Sequence, residues 1–219
     1  MRLVQKRVLK KQLSMLVVIM NFVDSYISES KKILDKLDTS KIFSMINLIQ
    51  ETRKNNGRIF FLGVGGSAAN ASHAVNDFRK IVGIESYSPT DNVSELTANT
   101  NDCGWESIFV NWLKVSKLSQ KDILFIFSVG GGNEKHNIST NLIMAMKFAK
   151  EINSKILAIV GKKNGYAFKN ADICLDIPII NENHVTPHSE SFQSLIWHLI
   201  VTDPSLAMNK TKWESTKNE

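Results

Sequence analysis

Phe60-Phe61-Leu62-Gly63-Val64-Gly65-Gly66-Ser67-Ala68-Ala69-Asn70-Ala71-Ser72-His73-Ala74-Val75-Asn76-Asp77 is the stretch whose reading decides the fold. An apolar run ends in glycines and a serine, and a helix-like pattern follows that carries His73 and Asp77 four residues apart. Glycines permit a tight turn and close backbone approach to a ligand. A helix beginning just beyond them offers unpaired N–H groups and a positive dipole end, which suit phosphate. Residues at i and i+4 share a helix face. One short segment can thus bind an anion and aim an imidazole and a carboxylate at the molecule that carries it.

Outward from this segment, strand patterns alternate with helical ones. Helical spacing covers residues 22–36 and 40–55, and Asn55-Asn56-Gly57 closes the second with turn chemistry. Strands are expected at 58–64, 84–87, 122–128, 155–160 and 173–177, with helices at 67–81, 93–99, 105–113, 138–152 and 189–201. Ser88–Asn92 reads as a loop and Asn101-Asp102-Cys103-Gly104 as a break. The strands are continuously apolar, which indicates a parallel sheet covered on both faces, an α/β fold. No linker, repeat or low-complexity tract divides the chain, so a single domain is expected over 20–205.

The termini differ from this body. Residues 1–12 hold five basic side chains (Arg2, Lys6, Arg7, Lys10, Lys11), and an apolar run over 13–20 follows. That run is too short to span a bilayer and has no small-residue cleavage site, so residues 1–19 read as an extension, with Met20 as a candidate start. Residues 206–219 read as a polar tail. The net charge of +6 has no basic patch with interleaved aromatics in the body of the chain, which argues against nucleic acid as a partner. Cys103 and Cys174 fit no metal-ligand spacing, as expected of a reduced cytoplasmic protein.

Two strands, at 58–64 and 122–128, end in glycine-rich loops, and ligands of open α/β sheets bind at carboxyl strand ends. The first loop fits no nucleotide fingerprint: Ala68 stands where the dinucleotide pattern has its third glycine, and no Gly-Lys-Ser/Thr follows. Together with Ser128-Val129-Gly130-Gly131-Gly132-Asn133, it offers backbone N–H groups and the Ser67 and Ser128 hydroxyls to one phosphate. The plain alternative is two glycine turns. His73 with Asp77, and Glu190 with His198 two turns apart in the last helix, form either a divalent-metal set, acid–base pairs or satisfied structural polar groups. His188 reads as a substrate contact or as the start of that helix, and His136 and His184 as surface residues. Trp105, Trp112 and Trp197 read as core or interface anchors, with Trp213 in the tail. Asn101 and Asp102 suit sugar hydroxyls, or simply a turn and a helix cap.

Gly65-Gly66-Ser67 with His73-x-x-x-Asp77, Leu96-Thr97-Ala98 with Asn101-Asp102-x-Gly104, and Ser128 with its glycine loop together resemble the sugar isomerase (SIS) domain family, within it the phosphoheptose isomerases. The resemblance covers roughly residues 40–203. It implies a three-layer αβα sandwich around a five-stranded parallel sheet of flavodoxin type. It implies a sugar phosphate substrate, a homotetramer with active sites between subunits, and usually one zinc ion per site. Position by position, Val64, Gly65, Gly66 and Ser67 match the first phosphosugar loop, and Asn101 and Asp102 a substrate-contacting pair. Ser128, Val129, Gly130 and Asn133 match the serine-rich phosphate loop. His73, Asp77, Glu190 and His198 match the metal ligands; Asp77 and Glu190 also count among the substrate contacts, and Asp77 and His198 are the expected base and its partner.

The chain departs from the family pattern. Asp77 stands for glutamate, shortening the reach by one methylene, and Glu190 stands for glutamine, adding a charge. Val64 replaces an asparagine, and Ser-Val-Gly-Gly-Gly-Asn replaces Ser-Thr-Ser-Gly-Asn-Ser, which removes hydroxyls from the phosphate loop. The expected reaction is aldose–ketose isomerisation of sedoheptulose 7-phosphate through an enediol, feeding surface-polysaccharide or nucleotide-heptose synthesis. The alternatives are an isomerase for another sugar phosphate and a non-catalytic, regulatory phosphosugar-binding module.

Overall fold

The computed structural model describes residues 21–212. The helix α1 covers 21–35, and α2 is Thr39–Lys54. Strand β1 is Ile59–Leu62 and α3 is Gly66–Asp77, continued by a π-helical turn over Phe78–Val82 that stops at Gly83, φ +68°. Then come β2 (Ser86–Tyr87), α4 (Val93–Cys103), α5 (Ile108–Val115), β3 (Ile123–Ser128) and α6 (Thr140–Glu151). The chain continues with β4 (Lys155–Val160), α7 (Tyr166–Asn170), β5 (Ile173–Asp176) and α8 (Val185–Thr202).

The five strands form one parallel sheet in the order β2-β1-β3-β4-β5. Alternation along each strand sends side chains to two separate cores. Phe61, Phe125, Phe127, Leu157 and Ile159 face α1, α2, α3 and α8, whereas Phe60, Leu62, Leu124, Ile126 and Ile156 face α5, α6 and α7. The fold is therefore the expected three-layer αβα sandwich, and the strands carry no polar face because neither side meets water. Phe61 stacks on Phe125 at 5.3 Å between ring centroids. Each such buried phenylalanine contributes about 2 kcal/mol of burial free energy.

The order reverses between β1 and β3: the chain leaves β1 for one side of it and returns on the other. This is the topological switch point, where the crevice at the carboxyl strand ends opens. Both glycine-rich loops lie there. The opposite, amino end of these strands is fastened by Arg58 and Asp122. The guanidinium meets the carboxylate through Nη2 at 2.9 Å and Nε at 3.2 Å, and the Arg58 and Ser119 backbone N–H groups donate to it at 2.8 Å each.

Several expected boundaries shift for local reasons. The last helix begins at Val185, not 189, because Pro187 sits in a first turn, where its missing N–H has no partner to lose. Asn101 and Asp102 lie inside α4 instead of in a break, and the helix stops only at Gly104, φ 84°. The short α7 carries no sequence pattern long enough to reveal it. Packing continues past 205: Leu206 is buried and its carbonyl accepts from Arg53. The expected extension over 1–19 and Trp213 lie outside the described residues. Among the described residues, no helix is long and apolar enough to cross a membrane.

Candidate active site

The first loop runs from β1 into α3. Gly65 sits at φ 65°, ψ −129°, a conformation that a residue with a Cβ rarely adopts. A Cβ on Gly63 would overlap the Ser67 backbone, so the turn closes on glycine at that position. Val64, Gly65 and Gly66 are exposed, and Ser67 is 1% exposed. The Ser67 hydroxyl is buried without a hydrogen-bond partner. An unpaired buried hydroxyl is costly. At the first turn of α3, beside N–H groups that no helical carbonyl can reach, an anion oxygen would satisfy it.

The second loop leaves β3. Ser128 Oγ accepts from the Gly131 N–H at 3.0 Å, so this hydroxyl braces its own turn and keeps its proton to donate. Gly131 and Gly132 have φ of 71° and 83°. The carbonyls of Val129, Gly131 and Gly132 accept from the N–H groups of Gly161, Ala167 and Tyr166, which ties the loop to the end of β4 and the start of α7. Val129 and Gly130 are half-buried, and Asn133 pairs with Ile138 in a short antiparallel bridge.

Two turns into α3, His73, Asp77 and His198 converge, their ligand atoms all within 4.8 Å of one another. Asp77 Oδ2 lies 3.8 Å from His73 Nε2 and 3.9 Å from His198 Nε2. The other oxygen, Oδ1, accepts from Asn76 Nδ2 at 2.7 Å. His198 Nδ1 lies 2.7 Å from the Ser194 carbonyl, one turn back on α8, an acceptor that requires this nitrogen to carry the proton. The tautomer is thereby fixed, and Nε2 presents its lone pair to Asp77. Trp197 stacks on the His198 ring at 3.5 Å and meets His73 edge-on at 4.7 Å. Asn70 sets the register of the two helices, donating to the Glu190 carbonyl at 2.9 Å and to Gln193 Oε1 at 3.1 Å. Asn70, Gln193 and Ser194 escaped sequence reading. They carry no motif, and only their helical phase relative to His73 and His198 would have pointed to them.

Glu190 does not join the three-residue cluster. Its carboxylate lies against Gly66, where a Cβ would overlap it, at the start of α3. Asn101 and Asp102 are exposed on the last turn of α4 and bond to each other at 2.7 Å. His136 is exposed, as expected. His184 is not a surface residue. It is half-buried and, with the buried His188, surrounds Glu29 on α1. Trp197 is fully buried, whereas Trp105 is 42% exposed.

Two imidazole nitrogens and one carboxylate oxygen on rigid helices, one ring held in the right tautomer, form a donor set that fits a divalent metal ion with a coordination position open. The His73 and His198 side chains are 57% and 44% exposed, which leaves that position accessible.

The SIS domain family model matches residues 25–161, more than half of the chain. Across 177 residues the chain is 29% identical to a phosphoheptose isomerase of Helicobacter pylori (strain P12), covering 78% of this chain and 85% of that protein. It is 32% identical over 155 residues to a phosphoheptose isomerase of Aliarcobacter butzleri (strain RM4018), covering 68% of this chain and 76% of that one. In structure it resembles a phosphoheptose isomerase of Neisseria gonorrhoeae with a TM-score of 0.73 at 24% identity, over 84% of this chain and 96% of that one, a likeness of fold.

Proposed function

The chain belongs to the SIS domain family, and from that premise we propose that it is an aldose–ketose isomerase acting on sedoheptulose 7-phosphate to give D-glycero-D-manno-heptose 7-phosphate. The observation that carries this reading is one helix, α3, with two ends of complementary chemistry. Its start holds the glycine loop and the unpartnered Ser67 hydroxyl, and its end holds His73 and Asp77 beside His198.

The phosphate is bound by the N–H groups and hydroxyl of Gly65, Gly66 and Ser67 at the start of α3. Val64, Ser128, Val129, Gly130 and Asn133 complete the cradle, Asn101 and Asp102 take the sugar hydroxyls, and Glu190 reaches the ligand from beside Gly66. This fixes the sugar so that its carbonyl end lies toward the end of the helix. Asp77 removes the proton from C1 of the ketose, which gives the enediol, and the same carboxyl returns the proton to C2. His198, through the lone pair on Nε2, moves the hydroxyl proton from O1 to O2, so that atoms balance and no redox partner is needed. His73, Asp77 and His198, with Glu190 swinging in from Gly66, would hold a zinc ion; the ion would take the His198 Nε2 lone pair, so the ligand role and the proton relay of His198 are alternatives. When bound, the ion supplies Lewis-acid polarisation of the carbonyl and hydroxyl oxygens. Asp77 has an oxygen for each duty, since Oδ2 faces the imidazoles and Oδ1 bonds to Asn76.

The exposed His73 and His198 and the exposed Phe22, Ile27, Leu34, Leu195 and Leu199 support a homotetramer whose partner subunits cover the site. Two free cysteines, one of them exposed, support a cytoplasmic location. One observation favours a second reading: the β3 loop offers glycines where the family has hydroxyls. It supports another sugar phosphate as substrate, or binding without turnover. Sedoheptulose 7-phosphate incubated with the metal-analysed protein and followed by NMR tests the proposal. Conversion that falls on chelation and returns with zinc supports it. Shift changes without product favour a binding module, and neither response points to another ligand.

A further inference from the structure

Glu29 lies on α1 and is 6% exposed. Its Oε2 lies 2.8 Å from His184 Nδ1 and 2.9 Å from His188 Nε2. Its Oε1 accepts from Asn181 Nδ2 at 2.8 Å. The orientation of that amide is fixed, because Asn181 Oδ1 accepts from the Asn183 N–H at 3.0 Å. The same Nδ2 donor also lies 3.1 Å from His184 Nδ1. His184 Nδ1 therefore faces an N–H donor and a carboxylate oxygen at once. With a lone pair it suits Asn181 and opposes Glu29; with a proton it suits Glu29 and opposes Asn181. An ion at the centre resolves the conflict, since it takes the lone pairs of both imidazoles and of the carboxylate together.

The wider surroundings agree. The three ligand atoms lie within 4.8 Å of one another. His184 and His188 are four residues apart across the start of α8, a spacing that turns two imidazoles the same way. Tyr26 stacks on His188 at 4.3 Å and Phe22 meets His184 edge-on at 5.7 Å, an aromatic wall that keeps bulk water off. A cavity of about 10 Å³ lies against Asn181, His184 and His188, its other walls mostly apolar. Ligand atoms around zinc stand roughly 3.3 Å apart at bond lengths near 2.0 Å, so the two Glu29–imidazole contacts need open by only about half an ångström.

We propose that Glu29, His184 and His188 form a second divalent-cation site, separate from the His73–Asp77–His198 cluster, which clamps α1 onto the start of α8. Its carboxylate and two imidazoles are the donor set of zinc and related first-row ions. Its burial distinguishes it from the exposed cluster at the end of α3. It does not depend on the isomerase reading and stands whether or not the protein turns over a heptose phosphate.

The test is a Co²⁺ titration of the metal-free full-length chain, read by visible ligand-field absorption and by metal analysis after gel filtration. The wild type is expected to take up two equivalents per chain, and Glu29→Gln and His73→Ala one each. The combined variant should take up none. In His73→Ala, which keeps only the buried site, Co²⁺ should raise the Tm, and His188→Gln added to that variant should abolish the rise. Should Glu29→Gln not fold, His188→Gln replaces it in the count. One equivalent in the wild type, lost in His73→Ala and kept in Glu29→Gln and His188→Gln, would overturn the proposal and leave a hydrogen-bonded clasp.

Discussion

His198 is oriented by Ser194: its Nδ1–H donates to the Ser194 carbonyl at 2.7 Å, one turn earlier on α8, which leaves Nε2 as the nitrogen that faces Asp77. A backbone acceptor cannot be mutated away, so this tautomer is built into the helix. His198→Ala should cost 10²-fold or more in kcat, about the contribution of one positioned acid–base group, and should weaken metal uptake as well. Because His198 is half-exposed, the same variant should melt within a few degrees of the wild type. A large fall in Tm, with activity and metal uptake falling in proportion to folded protein, would instead mark it as structural.

Asp77 ends α3 just where the π-helical turn begins, and it is the carboxylate that both imidazoles approach. Asp77→Asn keeps its shape and removes its basicity, so turnover should fall by roughly 10²- to 10⁴-fold while the circular dichroism spectrum is unchanged. Asp77→Glu lengthens the reach by one methylene and restores the residue type of the phosphoheptose isomerases it resembles. It should retain turnover well above that of Asp77→Asn. Full activity in Asp77→Asn would remove Asp77 from the chemistry.

The glycines of the two loops should not be equivalent. A Cβ at Gly63 would overlap the Ser67 backbone, which cannot move without displacing the start of α3, whereas at Gly130 nothing lies within 4 Å of one. Gly63→Ala should lose about 1–3 kcal/mol of stability in urea denaturation, the usual cost of overpacking. Gly130→Ala should leave stability within about 0.5 kcal/mol and change only the KM for the sugar phosphate. Equal stability losses at the two positions would contradict the tight turn at Gly63.

The layers and the sheet were legible because uninterrupted apolar strands have only one arrangement that buries both faces, and glycines after β1 and β3 marked where the crevice opens. His73, Asp77 and His198 were legible through helical spacing and through family resemblance. Glu190 lies apart from them, its carboxylate against Gly66, which helical spacing within α8 alone does not reveal. The Glu29 cluster was not legible. Glu29 and His188 are far apart in sequence, and nothing in the pattern of α1 shows that its one buried carboxylate meets the start of α8. His184 carries no sequence signal that distinguishes it from a surface residue. Its true setting is created by a distant helix.

Asp122 is a buried carboxylate away from the site, paired with Arg58. It is 2% exposed, and burial raises its carboxyl pKa, yet the Arg58 guanidinium with the N–H groups of Arg58 and Ser119 more than offsets this and holds the value below the ordinary 3.8. A carboxyl whose folded pKa is depressed stabilises the fold fully above its unfolded value and loses that contribution as pH falls through the folded one. The Arg58–Asp122 contribution should thus be complete at pH 5 and above, about one unit over the unfolded value, and decline on acidification below 3.8. Asp122→Asn keeps the shape but leaves Arg58 facing a neutral amide, and should cost about 3 kcal/mol at neutral pH. The gap between wild type and variant should close as pH is lowered toward 2, measured by urea denaturation across that range. A gap independent of pH would show that the side chain acts there through packing alone, not through its charge.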